Sequence, residues 1–167
     1  MNPKIKTRIQ LGLIALLAIF AISLVLSQKT DPSNPPLFAL KRIQEKAFLL
    51  LKSTPSQKVD YMSSLLDNRL VEIKNQVYSK NYGQILPSAS RYSTLAGQIT
   101  ETIVANNMKD KVSYITSQFL SHKKVLKDIY VVYPKNTDNM EYKYIEDDSN
   151  YLDLYLDKLS NNLREII

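Results

Sequence analysis

An all-α fold is what this sequence predicts: a single N-terminal transmembrane helix, then an up-and-down bundle of four to five helices. Three observations carry that expectation. Residues 11–26 are apolar apart from Gly12 and Ser23, and Lys4, Lys6 and Arg8 precede them. Beyond residue 36, apolar residues recur at spacings of three and four in successive stripes, each with its own cap or breaker. No strand-like alternation of useful length occurs; the β-prone run Tyr130-Val131-Val132-Tyr133 continues a helical stripe.

The first element is the membrane span. A helix over residues 9–27 would cross roughly 28 Å at about 1.5 Å per residue, close to a hydrocarbon core. The basic flank predicts a cytoplasmic tail at 1–8, with everything after Gln28 outside. A cleaved signal peptide is the rival reading. Val25-Leu26-Ser27 is a tolerable cleavage site, but the apolar core is longer than such peptides use, so a retained anchor is preferred. Cleavage would make the chain a secreted one. The chain has no Cys, which excludes a lipoprotein, disulfides and thiol chemistry. A linker at 28–35, rich in Pro, Ser and Asn, then leads to an extracytoplasmic helical domain expected over 36–134.

That domain opens with a helix over 36–52, started by Asn34 and Pro35, whose apolar face is read as Leu37, Leu40, Ile43, Ala47 and Leu51. A second helix, 55–79, starts at a capping box, Thr54-Pro55-Ser56-Gln57. Its stripe is Val59, Met62, Leu66, Leu70, Ile73 and Val77, and the short joint before it implies an antiparallel hairpin with the first. The third, 84–105, carries Ile85, Ala89, Tyr92, Ala96, Ile99 and Ile103, with Pro87 tolerable near its start and Asn106-Asn107 at its end. The fourth, 109–133, carries Val112, Ile115, Phe119, His122, Leu126, Ile129 and Tyr133 and stops at Pro134. Residues 135–167 read as a polar linker and an acidic last helix, 149–165, capped by Asp148 or Ser149. Leu66, Leu70, Ile99, Phe119, Leu126 and Ile129 are the expected core.

Three segments resemble a known family: Pro36-Leu37-Phe38-Ala39-Leu40-Lys41-Arg42, Arg69-Leu70-Val71-Glu72, and His122 with Val125-Leu126 ahead of Pro134. Together they are similar to an uncharacterised helical domain-of-unknown-function family of bacterial envelope proteins. The resemblance spans roughly residues 34–134. It implies a fold and a location and no catalytic residue. More Tyr, Asn and Ser, with fewer Ala and Glu, is a departure that bears on the third helix.

Charge is uneven. Residues 29–137 carry a net +8 and residues 138–167 a net −5. The basic body could dock on the acidic tail, or face anionic lipid, wall polymer or an envelope protein; ordinary solvated helix faces are the preferred reading of the pattern. Nucleic acid is a poor partner for an exported domain. Lys41, Arg42 and Lys46 mark a basic opening near the membrane exit and are the candidate interaction residues. Arg69 and Glu72 are spaced to pair on one helix face, at the bundle rim.

His122 is the single histidine and has no acidic residue one turn away, so it reads as a packed, satisfied imidazole. Glu146, Asp147, Asp148, Asp153 and Asp157 do not follow the spacing of a calcium loop. The 11 Tyr read as amphipathic core and rim residues. With three Gly and no phosphate loop, Gly-x-Ser-x-Gly or His-Glu-x-x-His, no enzyme is expected, and no cofactor or metal. The expected function is a membrane-tethered binding or scaffolding module of the bacterial envelope. The alternative is an extracytoplasmic ligand or stress sensor, which the short tail would oblige to act through a membrane partner.

Overall fold

The structure is a computed structural model. It describes residues 35–135 and 139–164 and, upstream, residues 12, 14, 15, 18–23 and 25. The tail at 1–8, the linker at 28–34, much of the span at 9–27 and Glu165 lie outside the described residues. Among those described, no helix is long and apolar enough to cross a membrane, and the described members of residues 12–25 are helical. Among the described residues the longer elements are all α-helices: α1 (Pro35–Leu50), α2 (Pro55–Tyr78), α3 (Ile85–Ala105), α4 (Lys109–Val132) and α5 (Tyr142–Arg164), with a 3-10 turn at Tyr82–Gln84. Contacts divide the chain into two units, Met1–Phe48 and Leu49–Ile167. α5, which follows the domain expected over 36–134, packs against α3 and α4 within the second unit.

In the first unit, α1 begins at Pro35, as its missing N–H and fixed φ favour. Its face is not the expected one. The covered residues are Phe38, Lys41 and Gln44, whereas Ile43 and Ala47 are exposed. The stripe is turned away from the one that apolar residues alone define.

In the second unit, local chemistry sets the helix ends. The Gln57 N–H donates to Thr54 Oγ1 at 3.2 Å, and Gln57 Oε1 accepts from the Ser53 N–H at 3.1 Å, a capping box displaced by one residue. Two helices end in a left-handed residue. Lys80 (φ 59) follows α2, with Asn81 N–H donating to Gln76 O and Lys80 N–H to Val77 O. Asn107 (φ 49) follows α3, with Met108 N–H donating to Ile103 O and Asn107 N–H to Val104 O. Both are Schellman motifs, which satisfy carbonyls left over at a helix end.

Pairings give the topology. The Gln76–Ser88 bond joins α2 and α3 antiparallel, and Tyr130–Glu146 and Lys123–Asp153 join α4 and α5 antiparallel. Between α2 and α4 the pairs Asp60–Lys111, Ser63–Gln118 and Asp67–His122 advance together, so these two run parallel. α3 and α5 are also parallel and packed face to face, with Tyr155 reaching toward Ser93 and Gly97. A Cβ on Gly97 would lie 2.9 Å from Tyr155 Oη and 3.3 Å from Cζ, so the ring needs that glycine. Around the bundle the order is α2, α3, α5, α4, with the α2–α4 edge the loosest.

The core contains all six residues expected for it, Leu66, Leu70, Ile99, Phe119, Leu126 and Ile129. It extends into α5 through Ile145, Leu152 and Leu159. α5 therefore starts about two turns before the expected cap. Asp148 and Ser149 sit at buried positions inside the helix rather than at its N-terminus.

Phe119→Ala should cost about 3–5 kcal/mol and Leu126→Ala about 2–5, a large part of a typical domain stability of ~5–15 kcal/mol. Both should show as lower melting temperatures, and wild-type melting in both would refute this core. Lys80→Gly should raise stability by about 1 kcal/mol by relieving a left-handed non-glycine residue. Denaturant titration reads this as a higher midpoint with an unchanged slope.

Candidate functional site

Three helices place one polar path through the apolar core. His122 of α4 and Tyr92 of α3 both lie on the buried stripes of their helices, and Tyr92 is 0% exposed. His122 Nδ1 is 3.1 Å from Tyr92 Oη, and His122 Nε2 is 2.8 Å from Asp67 Oδ1 on α2. Asp67 is a carboxylate and only accepts, so the imidazole N–H is on Nε2 and Nδ1 accepts from the tyrosine hydroxyl. Every polar atom of the histidine is thereby satisfied. The expectation of a satisfied imidazole stands, with partners that lie 30 and 55 residues away in the sequence.

The path continues along the α2–α4 seam. Gln118 Nε2 donates to Asp67 Oδ1 at 2.7 Å and to Ser63 O at 3.1 Å. Ser63 Oγ donates to Gln118 Oε1 at 2.8 Å and lies 3.2 Å from Tyr114 Oη. Lys111 Nζ meets Asp60 Oδ1 at 2.6 Å one turn further. Directional bonds thus hold the edge where apolar contact is thinnest.

Burial sets the protonation states. Removal from water lowers the His122 pKa from its ordinary 6.5, and the hydrogen bond and charge of Asp67 oppose that shift without reversing it. Burial raises Tyr92 well above 10, and the fields of Asp148 and Asp67 add to the effect, so it stays a phenol and a donor. Asp148 is 2% exposed, and its Oδ2 has no hydrogen-bond partner. Burial, reinforced by the neighbouring Asp147, pushes its pKa from 3.8 to about 9. At neutral pH this is a carboxylic acid inside the bundle.

Tyrosines cluster at one end. The ring centroids of Tyr82 and Tyr133 are 4.7 Å apart, Tyr133 and Tyr142 5.9 Å, and Tyr130 and Tyr142 6.1 Å. Lys135 Nζ lies 3.5 Å over Tyr130. A shallow cleft of about 490 Å³ opens beside them, lined by Val77, Tyr78, Lys80, Tyr82, Val132 and Pro134. A second, of about 470 Å³, lies between α3 and α5 and includes Glu101, Lys158 and Asn162.

The residues singled out in the sequence are not brought together. Of the basic opening, Arg42 and Lys46 are exposed and Lys41 is 8% exposed. Arg69 does pair with Glu72, but it is 0% exposed and so is no rim residue. A buried arginine of this kind depends on its carboxylate, since removing one partner of a buried pair costs about 3–5 kcal/mol. Asp153 is engaged by Lys123, and among the described residues no three His, Cys, Asp or Glu side chains gather as a metal site. The path Tyr92–His122–Asp67 has the partners of a proton relay, yet its hydroxyl end is fully covered. No family model, curated protein or solved structure matches the chain.

The pH dependence follows from the signs. Asp148 contributes stability that is complete below 3.8 and is lost as pH rises toward about 9. His122 contributes stability that is complete above 6.5 and is lost as pH falls through its lowered value. The two oppose each other just below 6.5, and above it Asp148 acts alone. Stability should therefore fall from pH 7 to 9, at up to about 1.4 kcal/mol per pH unit from this one group, and the melting temperature should fall with it. Asp148→Asn should flatten that slope and raise the melting temperature at pH 8. An unchanged slope in the variant would show that Asp148 does not hold its proton.

Proposed function

We propose that this chain is a membrane-tethered extracytoplasmic helical module of the bacterial envelope and that it works by contact rather than turnover. The observation that carries the reading is the order of features in the sequence. Lys4, Lys6 and Arg8 precede an apolar run over 11–26, and a domain with its own core follows. The resemblance to the helical envelope family supports the same location. The covered hydroxyl of Tyr92 supports binding over catalysis, because the relay-like arrangement offers solvent only the Asp67 carboxylate and no nucleophile.

A second reading, an extracytoplasmic sensor, is favoured by one observation. Asp148 holds its proton to about pH 9 while His122 is lowered, so the core contains two groups whose charge answers to pH. An exported domain would meet the pH of its surroundings directly.

Protease added to intact spheroplasts should remove the helical domain and leave a protected N-terminal fragment of about 30 residues, the length of a span with a short tail. A soluble mature protein beginning near residue 28 would refute the tether and keep the export. A domain fully protected until the cells are lysed would refute both.

A further inference from the structure

α1 carries one apolar face on the outside. At 100° per residue, Ala39, Ile43, Ala47 and Leu50 share one side, and Phe38, Lys41 and Glu45 the other. Ile43 is 65% exposed and Leu50 84%, whereas Lys41 is 8% exposed. The helix thus covers a lysine and a glutamine, Gln44, and presents alanine, isoleucine and leucine to solvent. Arg42 and Lys46 are both exposed along one margin of this apolar side, and the helix's single acidic residue, Glu45, is on the opposite face. Apolar on one side with cations at its border is the composition of a helix that lies in the headgroup layer of a bilayer. Its apolar residues sink about 5–10 Å there and its cations reach back to phosphate.

Two further arguments choose lipid over a second copy of the chain. The cations complement an anionic surface, whereas pairing two copies through this face would bring Arg42 and Lys46 near their own counterparts. The apolar run ends near residue 27, and α1 begins at Pro35. Eight residues reach at most about 28 Å, so a chain anchored by that run keeps the start of α1 within that distance of the bilayer and at a high local concentration beside it.

We propose that α1 rests on an anionic bilayer, with Ala39, Ile43, Ala47 and Leu50 entering the headgroup layer and Arg42 and Lys46 meeting lipid phosphates. This rests on the membrane-tethered reading of residues 9–27, and the experiment separates the two. The chain has no Cys, so single-cysteine labelling is unambiguous. Full-length Ala18→Cys, Ala47→Cys and Ser117→Cys would each carry an environment-sensitive fluorophore and be reconstituted in phosphatidylglycerol-containing vesicles. All three positions are exposed, so the labels need not disturb packing. Doxyl-labelled lipid should quench the label at 18 and at 47 and spare 117. Adding Arg42→Glu and Lys46→Glu should reduce quenching at 47 and leave that at 18 unchanged. If 18 is quenched while iodide reaches 47 as freely as 117, the tether stands and the docking of α1 is refuted. If 47 is shielded from iodide but not quenched by lipid, and shielding grows with protein density, a second copy covers the face and the proposal fails. If 18 escapes lipid quenching, the tether itself is refuted and the docking with it.

Discussion

The hydrogen-bonded path from Tyr92 through His122 to Asp67 is the constraint on which the bundle's register depends. Three edges of the four-helix ring are closed mainly by apolar packing, with single polar contacts such as Gln76–Ser88 and Lys123–Asp153. The fourth, between α2 and α4, is closed by bonds whose donors and acceptors must face each other. A one-turn slip of α4 would leave His122 and Tyr92 unpaired inside the protein. Each buried unpaired group costs about 1–3 kcal/mol, which is enough to select one register among several with similar apolar contact.

Polar residues in the interior also account for the electrostatics. Asp148 has no cationic partner described beside it and Asp147 adjoins it in the chain, so neutrality is the least costly state for it there. Arg69 has the opposite solution, a covered cation paired with a covered carboxylate one turn along the same helix. The bundle thus accepts polar groups at core positions either by pairing them or by removing their charge.

The same residues explain how far the sequence could be read. The bounds of α2, α3 and α4 were legible to within a residue or so, because Thr54, Gln57, Asn107 and Pro134 act locally on the ends they define. The start of α5 was not, because Asp148 and Ser149 occupy core positions and break the apolar stripe that would have led back to Ile145 and Tyr142. The face of α1 was misread for the same reason, with Lys41 and Gln44 on its covered side. The polar path was half visible: Tyr92 and His122 stood on apolar stripes, and a polar group there must have a partner. Its identity could not be read, since Asp67, Tyr92 and His122 meet only once three helices have packed.

The arrangement of parallel neighbours has an entropic meaning. α2–α3 and α4–α5 are antiparallel hairpins built from neighbouring segments, so each closes only a short loop. The pairings that span the chain are α3 with α5 and α2 with α4. Contacts inside each hairpin are then cheap in loop-closure entropy, and the larger cost falls where the two hairpins meet. That meeting must seat Tyr155 over Gly97 on one edge while His122 finds Asp67 on the other. The contacts that join the halves therefore turn on a glycine and a histidine, while the caps act only within each half.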